Sequence, residues 1–414
     1  MTALAEAAPG GSSLLLARQP IFDASLNVFA YELLHRSMDP RRFSVGDGDV
    51  ASSQLLLDAF GPAGIANLTE GRPAFINFTE HLILNPPSVA PGQIIVEVLE
   101  DIPPTPLVID GLAALRERGF RIALDDFRHH AAMEPMLELA DIVKLDVLAM
   151  SEPQLRAEVR KLRNHPLRLL AEKIESWEMH NHCVDLGFSY FQGFFLAHPQ
   201  AVHGERPGPD ESALLASMAG LLRARTPAEF VSALEQPDPL PGLRLLRLAN
   251  GPDREGERTL ATLDDVVDTL GRRTAGRASI AMLAGVTGKP RELVRLALAR
   301  ARACELLGNA CSPGLGAGGF EAGLFSLLDA FLDRPLPGLL QSVGAHPQLR
   351  AALCERSGSE AALVATAIAF EQAQWNTAPW EHLSALGVDK ADAERAYLDS
   401  LVWADQGLQA MFSR

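Results

Sequence analysis

Two kinds of apolar spacing divide the chain. From Ser13 to about Gln200, short runs rich in Val, Ile, Leu and Phe recur at Leu14–Gln19, Val28–Leu33, Ala74–Phe78, Ile94–Val98, Arg121–Leu124, Ile142–Leu145, Arg168–Ala171 and Tyr190–Leu196. Each has the length of a buried strand, and most intervals between them have room for a helix. Within those intervals Leu112–Arg118, Gln154–Leu162 and Trp177–Leu186 carry apolar residues at helical spacing. Eight strands alternating with helices predict an α/β barrel of the TIM-like kind, somewhat below the usual size. The first two runs are parted only by the residues around Asp23–Asn27, too few for a crossover helix, so a hairpin and one antiparallel strand are expected there.

The strand pattern stops after the stretch His203–Asp210, which is dense in Pro and Gly. Helical spacing then takes over at Glu211–Ala224, Pro227–Glu235, Leu240–Ala249, Leu263–Leu270, Arg291–Leu307, Leu324–Phe331, Ala361–Gln374 and Asp389–Trp403. The expected organisation is a disordered leader at 1–13, a barrel domain at 14–204 and an all-helical domain at 205–414. Met1 to Ser13 has no Lys or Arg and no long apolar core, unlike a signal peptide. No apolar run is judged long enough to span a bilayer, so membrane insertion is not expected.

Composition narrows the function classes. With 47% hydrophobic and 21% charged residues, the chain is globular in make-up. Its net charge of −15 repels nucleic-acid backbones and argues against direct binding of a nucleic-acid polymer. The four cysteines, Cys183, Cys304, Cys311 and Cys354, form no C-x-x-C pair and suit a reducing cytoplasm. The acidity is concentrated in residues 1–205, which hold 27 acidic and 16 basic side chains.

Much of that acidity falls at strand ends, where barrels of this kind collect their chemistry. The runs carry or end in Glu32, Asn77, Glu97, the pair Asp125-Asp126, Lys144, Glu172 and Gln192. Charged groups flanked by Ile, Val and Leu are costly to bury unless paired or bound to a metal. Glu32, Asn77, Glu97 and Asp125 are oxygen ligands of the type that Mg²⁺ or Mn²⁺ takes. Adjacent Asp125 and Asp126 suit a two-metal phosphoryl site, and Lys144 suits an anionic nucleophile or phosphate. The pattern points to a phosphodiester site.

The first half resembles the EAL domain of bacterial cyclic di-GMP signalling, over essentially Leu14 to Pro199. The motifs that carry the likeness are Gln19-Pro20-Ile21, Glu32-Leu-Leu-x-Arg36, Asn77, Glu97-x-x-Glu100, Asp125-Asp126-Phe127, Lys144-Leu-Asp146, Ala171-Glu172-x-x-Glu175 and Gln192-Gly193. The resemblance implies that Glu32, Asn77, Glu97, Asp125 and Asp126 bind metal, and that Lys144 and Glu172 handle the attacking water. It further implies a phosphate contact for Arg36, active-site polar roles for Glu175 and Gln192, and a loop-anchoring role for Glu100. Two departures stand out. Arg128-His129-His130-Ala131-Ala132-Met133 replaces the family's Gly-rich mobile loop, and Lys173 replaces the usual Gly beside Glu172.

The second half resembles an HDOD domain, a degenerate relative of the HD phosphohydrolases. The likeness rests on Leu245-Leu-Arg-Leu-Ala-Asn250-Gly251, Arg291 to Gly308, Phe325 to Phe331 and Ala369-Phe-Glu-x-x-x-Trp375. Residues 206–414 hold only His346 and His382 and no His-Asp pair, so metal-dependent hydrolysis is not expected there. The combined expectation is a signalling protein that binds cyclic di-GMP or protein partners without turnover, its helical domain contacting a signalling partner. The alternative is a metal-dependent phosphodiesterase that releases linear pGpG.

Other signals carry less. Gly314-Leu-Gly316-Ala-Gly-Gly319 matches a dinucleotide fingerprint but follows no strand, and is expected to be a flexible loop. Gly288-Lys289-Pro290 is expected to start a helix. His180 and His182 point apart on a helix and cannot readily share an ion. His129 and His130 are expected in a solvated loop, with an added ligand or phosphate contact as the other reading.

Overall fold

The computed structural model describes residues 14–37, 64–87, 89–200, 209–235, 240–251, 259–271, 274–286, 288–312 and 314–413. The expected leader 1–13 and most of the Pro/Gly boundary, 201–208, lie outside the described residues. The chain divides between Phe195 and Leu196 into two compact units.

The first unit is a closed barrel whose eight strands follow one another in chain order: β1 (Leu14–Asp23), β2 (Val28–Ser37), β3 (Ala74–Phe78), β4 (Ile94–Val98), β5 (Arg121–Leu124), β6 (Ile142–Asp146), β7 (Arg168–Ile174) and β8 (Tyr190–Gly193). β1 runs antiparallel to both β2 and β8, and all other neighbours are parallel. The hairpin is tightened by Asp23, whose carboxylate accepts from the backbone N–H groups of Ser25 and Asn27 at 2.8 and 2.9 Å. A single layer of inward side chains fills the barrel: Ile21, Ala30, Phe75, Ile95, Ala123, Ile142 and Leu170, one from each of seven strands. Such a plug is a packed core and leaves no pore.

The barrel helices start where local chemistry tells them to. Thr105 caps Pro106–Glu117 by accepting from Val108, with Pro106 in the first turn, and Ser176 caps Trp177–Leu186 by accepting from Met179. His180 stacks on Phe195 and meets Phe191 at a tilt inside the core, while Cys183 is buried on the same helix. The last strand is shorter than its apolar run: it ends at Gly193, and Phe195–Ala197 forms a 3₁₀ turn. Gly193 has φ +151°, and a Cβ there would lie 2.1 Å from the Ile174 carbonyl oxygen. Only glycine lets β8 close on β7 at this point.

The second unit is all helical. Its central element, Arg291–Cys311, starts after Pro290 and is buried on nearly every side. Around it pack Leu315–Phe325, Ser359–Glu371 and Lys390–Phe412. Buried charges here come in pairs. Arg300 grips Glu371 with Nε and Nη2 at 2.9 and 2.6 Å, and Arg295 bonds Glu292. Asn250 earns its place in the Leu245–Gly251 turn by accepting from Leu260 N–H and donating to the carbonyls of Leu246 and Leu260.

Two expectations need correction. The Gly314–Gly319 segment does not form a flexible loop: from Leu315 it opens the helix Leu315–Phe325. Its glycines let two helix backbones touch, since a Cβ on Gly319 would lie 2.5 Å from Cys304 O and one on Gly323 2.7 Å from Arg300 O. Single-residue propensity disfavours glycine in helices, and close packing outweighs it here. The stretch Leu315–Leu332 also reaches membrane-spanning length, with mean hydropathy 1.3 over 18 residues. However, 67% of it is buried inside the unit, and the helix breaks after Phe325 and restarts at Leu328. The helix Thr274–Leu283 was not anticipated at all.

Gly319→Ala is expected to destabilise the protein by about 1–3 kcal/mol through overpacking, where the same change on an exposed helix would stabilise by about 1 kcal/mol. Denaturant unfolding reads the sign directly. A second expectation concerns Glu394, whose carboxyl burial pushes from 4.5 up to about 7, with Arg395 offsetting part of the rise. The folded state keeps this proton between those pH values while the unfolded chain releases it, so stability falls as pH rises through that window. Glu394→Gln should therefore show a shallower fall in melting temperature with pH than the parent; equal slopes would remove Glu394 from the account.

Candidate functional site

The site is the next layer of the barrel interior. Side chains of a strand alternate faces, so the residue two positions from a plug residue also points inward. Two positions beyond Ala30, Phe75, Ile95, Ala123, Ile142 and Leu170 stand Glu32, Asn77, Glu97, Asp125, Lys144 and Glu172. In β1, which runs the other way, Gln19 lies two positions before Ile21, and in β8 Gln192 lies two after Tyr190. Apolar plug and polar layer are thus successive rings of one barrel, the polar ring being nearer the C-terminal mouth.

Lys144 stands at the middle of that ring and is fully buried. Its Nζ donates to Glu97 Oε1 and to Glu32 Oε2 at 3.4 Å, and forms ion pairs with Glu172 Oε1 at 2.8 Å and Asp125 Oδ1 at 3.0 Å. Gln192 Nε2 donates to Glu32 Oε2 at 2.6 Å and to Gln19 Oε1 at 3.1 Å. Three oxygens of ring residues, Asn77 Oδ1, Glu97 Oε2 and Gln192 Oε1, are buried with no hydrogen-bond partner. A buried acceptor left unpaired costs about 1–3 kcal/mol, so each of these atoms is a cost that the barrel carries.

Four acids around one ammonium perturb one another. Burial lifts Glu97 well above the usual carboxylate range, and Glu32 adds to the rise. Burial likewise pushes Glu172 up to about 8 against the pull of Lys144. For Asp125, burial acts upward but Lys144 outweighs it and holds the carboxyl below its ordinary value. Burial disfavours the charged form of Lys144, yet Glu172, Glu32, Glu97 and Asp125 together keep the ammonium more strongly protonated than in water.

A second, shallower cluster sits beside the first. β7 carries an extra residue relative to β8, the register passing from Ala171↔Phe191 to Ile174↔Gly193. The bulge turns Lys173 to φ +60°, and its Nζ reaches Asp146 Oδ2 at 2.6 Å and Asp126 Oδ2 at 3.5 Å. Asp126 is itself left-handed at φ +38°.

Of the residues singled out in the sequence, Glu32, Glu97, Asp125, Lys144, Glu172 and Gln192 come together in one bonded cluster, with Asn77 Oδ1 among the unpaired oxygens. Asp126 stands at its edge. Glu100 and Glu175 are exposed in the segments after β4 and β7. Arg36 lies in β2, and its side chain falls outside the described residues. Sequence reasoning did not single out Gln19 as a site residue or give Asp146 a role; the two-residue spacing and the Lys-Leu-Asp run were the signals available. His129 is tied down, its backbone N–H bonding Glu158 and its Nε2 lying 2.8 Å from Glu134, and Ala131–Met133 forms a short 3₁₀ turn. Among the described residues, no three His, Cys, Asp or Glu side chains are placed so as to hold a metal ion.

A buried ring of acids around a lysine at the C-terminal mouth of a β/α barrel lies where barrels of this kind carry their chemistry. Residues 65–199 match the EAL domain family. The chain is 29% identical over 411 residues to the uncharacterized protein YuxH of Bacillus subtilis, covering 96% of this chain and 99% of that one. It is 28% identical over 397 residues to the cyclic di-GMP phosphodiesterase CdgJ of Vibrio cholerae, covering 94% and 92%. Among solved structures, the Bacillus subtilis YkuI protein, which has an EAL domain and is in complex with substrate c-di-GMP and calcium, is 21% identical with a TM-score of 0.36. That match spans 50% of this chain and 58% of YkuI. Residues 65–199 are thus similar to an EAL domain, and over nearly its whole length the chain is similar to a cyclic di-GMP phosphodiesterase.

Lys144→Met leaves four clustered acids without their shared cation. A loss of about 3–5 kcal/mol in urea unfolding is expected, as for other buried pairs broken on one side. A loss below about 1 kcal/mol would mean that the acids hold one another by sharing protons.

Proposed function

We propose that this chain acts in cyclic di-GMP signalling through a barrel that binds the dinucleotide together with a divalent cation and hydrolyses one of its phosphodiester bonds. The observation that carries this reading is the fully buried Glu97, whose Oε2 has no partner beside the likewise unpartnered Asn77 Oδ1. A core built for stability alone would not hold an acid at that cost. The donor set fits a hard divalent ion, since every group is an oxygen. Glu32, Asn77, Glu97, Asp125 and, at the edge, Asp126 would hold Mg²⁺ or Mn²⁺, which when bound polarises a phosphoryl oxygen and acidifies a water.

The chain's own groups supply the rest. Glu172 would take a proton from the attacking water, whose oxygen bonds to phosphorus. The bond from phosphorus to the leaving ribose oxygen breaks, and that oxygen takes up a proton, giving the linear dinucleotide pGpG. Lys144 offsets the negative charge that builds on the phosphoryl oxygens. Gln192 holds Glu32 in place, and the resemblance to EAL domains would give Arg36, Glu175 and Glu100 phosphate, polar and loop-anchoring roles. The helical domain, expected at 205–414, would serve as the output that meets a signalling partner.

Binding without turnover has one observation in its favour. The segment Arg128–Met133 has no glycine and is held by Glu158, Glu134 and Ala149, so it lacks the freedom of a closing loop.

Incubation of the full chain with cyclic di-GMP and Mn²⁺, followed by chromatography, decides between them. Linear product is expected, with Glu97→Gln lowering its rate by about 100-fold or more. Saturable binding with no product would establish the receptor instead. Neither binding nor product would sink both readings.

A further inference from the structure

Lys173 is an odd residue to find where it is. A left-handed φ of +60° costs a side chain roughly 1–2 kcal/mol, and glycine would take it without strain. The bulge in β7 makes the difference to its aim. In a regular strand, the residue after inward-facing Glu172 would point out into the helix layer, whereas the extra residue swings Lys173 back over the mouth. From there its ammonium spans three strand ends, bonding Asp146 at the end of β6 and reaching Asp126 just after β5. An exposed ion pair alone would not repay that strain. Left-handed lysine facing left-handed aspartate is a placement kept for what it does at the site.

The two ammonium groups divide the carboxylates between them. Lys144 sits with Glu32, Glu97, Asp125 and Glu172, where Asn77 and Glu97 still offer unpaired oxygens. Lys173 sits with Asp126 and Asp146, and those acids gain a positive partner without any ion. A two-metal phosphoryl site needs its second cation about 3.5–4 Å from the first, drawing on carboxylates shared with or flanking it, of which Asp126 is the one adjacent to Asp125.

We propose that Lys173 is a tethered cation that occupies the Asp126–Asp146 side of the mouth, so that this barrel takes up one divalent ion where its carboxylates would otherwise hold two. The inference rests on the reading above that Glu32, Asn77, Glu97 and Asp125 hold an ion, and it goes further by assigning the ion count to a single side chain.

The test is a calorimetric titration of Mn²⁺ alone into the chelator-stripped full chain, with no nucleotide present. Three proteins are compared: the parent, Lys173→Gly, which also relieves the strained backbone, and Lys173→Met, which keeps the length and loses the charge. Circular dichroism checks that each is folded. The expected result is about one Mn²⁺ per chain for the parent and about two for both variants. A parent that already binds two, or variants that stay at one, would overturn the role of Lys173 while leaving the first ion site standing. No uptake by any of the three would overturn the ion site itself, and the role of Lys173 with it.

Discussion

The carboxylates of Glu32, Glu97, Asp125 and Glu172 share the inside of a barrel because one ammonium stands among them. Taking even one unpaired carboxylate out of water costs several kcal/mol, and four at close range would repel one another as well. Lys144 meets all four at once, and the barrel can afford the arrangement because the ring below it is wholly apolar and close-packed. Everything distinctive about the site follows from that balance: the raised acids, the buried lysine that stays charged, and the three ring oxygens left without a partner.

The helical unit shows what buried charge looks like when it serves structure. Arg300 grips Glu371 with two nitrogens and also donates to Ser326, and the planar guanidinium matches the carboxylate it meets. In the barrel, a compact ammonium is divided among four acids and satisfies none of them fully. The first arrangement is closed and resists change. The second leaves oxygens of Asn77, Glu97 and Gln192 without partners, which is why the functional reading attaches to the barrel.

Glycine serves two purposes in the two units, and composition does not tell them apart. Gly193 allows a backbone angle and a strand contact that seal β8 against β7 beside the bulge. Gly319 and Gly323 have ordinary helical backbone and are there because another helix lies against them. Read along the chain, the second group looks like a loop. Read against Arg291–Cys311, it is a packing face.

The eight strand runs, their order and the antiparallel start were legible in the sequence, because strands buried in a barrel must be short, apolar and separated by helix-length intervals. So was most of the site, since Glu, Asp and Lys in the middle of Ile, Val and Leu violate burial rules unless something compensates. Lys144 as the common centre of four acids was not legible, because its partners come from four other strands, up to 112 residues away along the chain. Nor was the reach of Lys173, which depends on one extra residue in β7 that the apolar pattern does not reveal. Local pattern records which faces a segment must bury. Only the closed barrel decides which side chains those faces bring to the same few ångströms.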